Sequence, residues 1–146
     1  MRSRADKFEA IYAKDPNNYL AKRELAVIYS WFYLHYIQAG SSSASAYREK
    51  ALTLTHEALE KAPLPDRADL GMCLENLGYD QEALSVYEKF LEDVQHTPPP
   101  IPSFASNAPP VLQRAAEANW SGLIATVQAR ADMLKKAAAT NQPAKQ

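Results

Sequence analysis

Helix-stopping residues cut this chain at short intervals, and that limits it to a stack of short helices. Asp15-Pro16-Asn17-Asn18, Gly40, Pro63 with Pro65, and Gly78 interrupt a sequence otherwise rich in Ala, Leu, Glu and Lys. Proline withholds a backbone donor and fixes φ, while glycine accepts the left-handed conformation that ends a helix. With only four glycines in the chain, the stretches between stops lean helical by intrinsic propensity.

Five or six helices follow. The first is expected from about Arg4 to Lys14, and the second from Tyr19 to Ala39. The third is expected from an N-cap at Ser43 or Ser45 to Lys61. Asp66 is read as the cap of a fourth helix, to Leu77, and Asp80 as the cap of a fifth, to Gln95. Then the composition changes. HTPPPIPSFASNAPP holds six prolines and reads as an extended, polyproline-like linker over 97–110. A last amphipathic helix is expected over 111–139, with a flexible tail at 140–146. Ala116, Trp120, Leu123, Val127, Ala131 and Leu134 form its apolar stripe.

The first part, 1–96, repeats. Phe8-Glu9-Ala10-Ile11-Tyr12 before Pro16 aligns with Thr55-His56-Glu57-Ala58-Leu59 before Pro63, and the two prolines are 47 positions apart. Ala51 and Ala83 are 32 apart. Intervals near ~34 mark a two-helix repeat, and the longer interval holds an insertion of about 13 at Tyr36 to the serine loop.

ADLGMCLENLGYDQEALSVYEKFLE resembles a unit of the tetratricopeptide-repeat family. Leu70-Gly71 matches the family's Leu-Gly pair, Leu74 its large apolar slot and Gly78 its turn. Ala83, Tyr87 and Leu91 match the second-helix core, while Phe90 stands where a small residue is usual. In the preceding unit Leu25-Ala26 replaces the Leu-Gly pair, Tyr29 follows, and Ala51, Ala58 and Pro63 complete the match. The resemblance covers about Arg4 to Gln95. It implies an all-α fold: a short α-α superhelix of helical hairpins, with the long C-terminal helix as its cap.

AVIYSWFYLHYIQA carries two apolar stripes. At ~100° per residue, Leu25, Ile28, Tyr29, Phe32, Tyr36 and Ala39 share a face assigned to the core. Leu20, Val27, Trp31 and Leu34 form a second stripe. The protein's own last helix or proline segment, an external helix or peptide, or a second copy are the three candidates to cover it. In the related family the corresponding stripe lines a groove, which implies Leu20, Arg23, Val27, Trp31, Leu34, Met72, Glu75 and Asn76 as partner-binding residues.

Other chemistry finds little purchase. A net charge of −1 gives no bulk attraction to nucleic acid or an anionic membrane. One cysteine, Cys73, excludes an intramolecular disulfide and fits a reducing compartment. His35, His56 and His96 lack metal-ligand spacing, so no metal or cofactor is expected. Some family members clamp a chaperone's terminal carboxylate with Lys, Arg and Asn. The matching slots here are Arg23, Val27, Glu24, Pro65 and Asp69, and only Arg23 suits that role. The expectation is a cytoplasmic, non-enzymatic adaptor or chaperone-like scaffold that binds another protein or peptide, with self-association as a further mode. The alternative is a structural subunit built into a larger assembly.

Overall fold

In a computed structural model of the chain, residues 1–97 and 109–140 are described. They form helices α1 (Arg2–Lys14), α2 (Tyr19–Gln38), α3 (Ala44–Leu59), α4 (Leu64–Asn76), α5 (Asp80–Val94) and α6 (Pro110–Thr140), with no strand among the described residues. The protein is all-α. It divides into two compact units, Met1–Ala83 and Leu84–Gln146, and the division falls one turn into α5. The expected extended course of the proline-rich segment falls mostly on residues 98–108, which lie outside the described residues, as do the last six of the tail.

In the first unit, local chemistry sets each boundary. Asp15 Oδ1 accepts a hydrogen bond from the Asn17 amide, and the Asn18 side chain accepts one from the Ala21 amide at 2.9 Å. Asn18 is therefore the N-cap of α2, a bond worth about 1 kcal/mol. Gly40, at φ 67, and Gly78, at φ 84, take the left-handed conformation after α2 and α4. The Ser41 amide then reaches the Tyr36 carbonyl and the Tyr79 amide the Leu74 carbonyl, each at 2.9 Å. This is the six-to-one bond of a Schellman stop.

Helices α2 and α3 form an antiparallel hairpin. Lys22 meets Glu57 at 2.9 Å at one end, and Tyr36 stacks on Tyr47 at 5.3 Å at the other. Ala21 and Ala26 on α2, and Ala51 and Ala58 on α3, are fully buried; small side chains let helices approach closely. Both α1 and α4 pack on α2, and α4 also packs on α3. Phe8, Leu25, Ile28, Tyr29, Leu54 and Leu70 fill the core.

Several boundaries differ from expectation. Asp66 does not cap α4. The helix starts at Leu64, with Pro63 as its N-cap and Pro65 in the first turn, where a missing amide costs nothing. Asp66 instead accepts the Tyr19 hydroxyl at 2.7 Å. Asp80 is the first residue of α5 rather than its cap, and the Tyr79 carbonyl accepts the Ala83 amide. Ser43 stands at the N-cap position of α3 without a side-chain capping bond. The assigned core face of α2 holds through Tyr29, but Phe32 and Tyr36 are half-buried and Ala39 is exposed. Phe32 and Tyr36 still meet Tyr47 of α3, at ring separations of 5.3 Å each, but are not closed over.

The second unit contains most of α5 and all of α6. Trp120, Val127 and Ala131 of the expected stripe are buried, and Ala116, Leu123 and Leu134 are half-buried. Trp120 meets the fully buried Phe90 edge-on at 5.8 Å, and Lys135 pairs with Glu88 at 3.2 Å. Phe90 thus has an aromatic partner inside its own unit.

Candidate functional site

Arg23, Val27 and Trp31 recur every four residues and so follow one side of α2. Across from them stand Asp69, Met72 and Asn76 of α4. A groove of about 340 Å³ separates the two rows, with Arg4 of α1 at its edge. The helices run parallel: Tyr19 meets Asp66 near their starts, and Arg23 meets Asp69 at 2.6 Å one turn on.

One end of the groove is apolar. Trp31 is 51% exposed beside half-buried Val27 and Met72. The floor is polar but closed. Ser30 is fully buried, and its hydroxyl donates to the Val27 carbonyl at 2.8 Å. Beside it, burial pushes the Cys73 thiol up to about 12, although a hydrogen bond with Ser30 works the other way. Cys73 therefore stays a neutral thiol at physiological pH and is a poor nucleophile.

The other end is ionic. Glu24, 5% exposed, lies between two guanidinium groups, with Arg4 on one carboxylate oxygen and Arg23 on the other. Arg23 also reaches Asp69, and its Nε lies 3.9 Å from Asp66. Burial alone would lower the Arg23 pKa. The carboxylates of Asp66, Glu24 and Asp69 outweigh that and raise it. Three carboxylates share two guanidinium groups here, and although the buried Arg23 Nε makes no hydrogen bond, the shared contacts tie α1, α2 and α4 together.

Five of the eight candidate residues come together here: Arg23, Val27, Trp31, Met72 and Asn76. Leu20, at 55% exposure, Leu34 and Glu75 lie outside the groove lining. Taken from the Tyr19–Asp66 contact, α2 runs past the end of α4 at Asn76 before it reaches Leu34, whereas Leu20 is level with the first turn of α4 but off the lining. The sequence-based candidates left out Arg4, Glu24, Ser30, Asp69 and Cys73 among the lining residues. The signal for Glu24 and Ser30 was available, since both interrupt the apolar run of α2 next to core positions. For Arg4 there was none.

Comparisons with protein-family models, curated proteins and solved structures give no match to this chain. Among the described residues no helix is long and apolar enough to cross a membrane, and no three metal-ligating side chains come together.

Proposed function

We propose that this chain is a tetratricopeptide-type repeat protein whose α2–α4 groove binds a helix or extended segment of another protein, as an adaptor or chaperone-like scaffold in the cytoplasm. One observation carries the reading. Trp31 stands half-exposed at the mouth of a groove between two parallel helices, with Val27 and Met72 beside it. A solvent-exposed tryptophan beside apolar neighbours and a rim of paired charges is the make-up of a binding anchor. The parallel pairing of α2 and α4 supports the repeat reading, because stacked hairpins place equivalent helices side by side.

A photo-crosslinking phenylalanine analogue at position 31 tests it. The expected result is a discrete crosslinked protein partner, lost when Met72→Asp is added. Trp31→Ala should weaken binding of that partner by about 2 kcal/mol or more. Crosslinks confined to the chain itself would refute the reading.

A second reading, a subunit held permanently in a larger assembly, draws on Leu20 and Ile37, which are 55% and 49% exposed on α2 outside the groove. Light scattering on the isolated chain separates the two. An adaptor is monodisperse, whereas an orphaned subunit self-associates through these side chains.

A further inference from the structure

A second cavity, of about 410 Å³, opens on a different face of α2. Helices α1 and α3 both pack on α2 and leave a gap between them. Leu25 and Leu54 give this gap an apolar floor, and the rings of Tyr12 and Tyr29 form part of its wall. Three charged side chains line it as well: Glu9, Glu49 and Lys50.

We propose that this cavity binds a small organic ammonium ion carrying an apolar tail. Its size falls within the range of small-molecule sites, about 300–1,000 Å³. The Tyr29 ring attracts a cation, since Lys50 Nζ lies 5.9 Å from its centroid, and a ligand ammonium takes that place when the exposed Lys50 side chain swings into water. The ring is held in place because its hydroxyl donates to Glu9 Oε1 at 2.6 Å. Two carboxylates against one ammonium leave the lining one negative charge in excess. A monocation balances that charge, an anion meets both carboxylates, and the tail takes the Leu25–Leu54 floor. The inference is independent of the groove that holds Trp31, because the two sites share no lining residue.

Titration calorimetry on the full chain tests it with octyltrimethylammonium, octanol and octanoate, each below its micelle concentration. The ammonium should bind saturably and about tenfold or more tighter than the other two. Glu49→Gln, at an exposed position, should lower ammonium affinity several-fold and leave octanol unchanged. Thr53→Trp should block the mouth and abolish binding of both, in a chain shown to be folded by circular dichroism. Absence of saturable binding, equal affinity for the three probes, or an unchanged ammonium affinity in Glu49→Gln would each overturn the proposal. Should Thr53→Trp fail to fold, the Glu49→Gln comparison decides alone.

Discussion

The Tyr19 hydroxyl donates a hydrogen bond of 2.7 Å to Asp66 across 47 positions of sequence. That is also the interval from Pro16 to Pro63, so Tyr19 and Asp66 occupy the same place after their respective prolines. The first turns of α2 and α4 therefore touch at equivalent points. One turn later Arg23 meets Asp69. Two links in succession, 47 and 46 positions apart, set the helices parallel and build the walls of the Trp31 groove.

The phenol of Tyr19 gives the first prediction. Its pKa is raised above the ordinary 10.0 by burial first, then by the hydrogen bond to Asp66. Tyr29 is raised in the same way, by burial and then by its bond to Glu9. The folded state holds both phenolic protons more tightly than the unfolded state does. Their stabilisation is thus complete below pH 10 and is lost as the pH rises through the raised values. Urea melts should show a steep loss of stability above pH 10. The double variant Tyr19→Phe/Tyr29→Phe should flatten it, leaving the smaller alkaline slope due to Cys73 and Lys22, whose values are also raised. An equal slope in both proteins would show that the phenols are not held in this way.

How much of this was legible follows from which forces act locally. The stop at Asp15-Pro16-Asn17-Asn18, the glycine stops and the α6 stripe could be read because each depends on residues within a turn or two of one another. Asp66 was misplaced because its partner, Tyr19, is distant in sequence, and a local capping rule cannot see that competition. The same holds for Glu24. A carboxylate is ordinarily a solvent-facing residue, and only the arrival of Arg4 and Arg23 permits its burial. Val27 and Trp31 were legible from helical spacing alone. That Leu34 would pass beyond the groove was not, because that depends on where α4 ends.

Cys73 gives a prediction with a clean readout, since it is the only thiol in the chain. It is 2% exposed, and burial pushes its pKa up to about 12. At pH 8 its reaction with a disulfide reagent should be at least about a hundredfold slower in the folded protein than in denaturant. Stopped-flow absorbance would measure both rates. Comparable rates would place Cys73 at an open surface.

Trp31 and Tyr29 should separate binding from folding. Trp31 is 51% exposed, whereas Tyr29 is 6% exposed, hydrogen-bonded to Glu9 and packed 5.6 Å from Tyr47. Trp31→Ala should cost under about 1 kcal/mol in urea unfolding, and Tyr29→Ala about 3–5 kcal/mol. The reverse order would mean that Trp31 is packed inside the protein, and the groove would lose its anchor.

Glu24 provides the sharpest contrast, because breaking a buried ion pair differs from replacing it. Its side chain is only 7% exposed and joins Arg4 of α1 to Arg23 of α2. Glu24→Ala removes the carboxylate and leaves Arg23, itself 22% exposed, with Asp66 and Asp69 on its other side. The Arg23 charge keeps two partners, so the cost should lie at the lower end of the range for a broken buried pair, about 3 kcal/mol. A variant with Glu24→Met and Arg23→Met fills the same space with apolar side chains and removes both charges together. It should be less destabilised than Glu24→Ala, because the two carboxylates left without Arg23 are otherwise provided for: Asp66 keeps the Tyr19 hydroxyl and Asp69 is open to water. Adding Arg4→Met to Glu24→Ala should change little further, since the exposed Arg4 side chain can return to water. Urea midpoints of the four proteins, read by circular dichroism, distinguish the cases. A double variant as unstable as Glu24→Ala would mean that the geometry of the Arg23 fork holds α2 to α4 in a way apolar packing cannot replace.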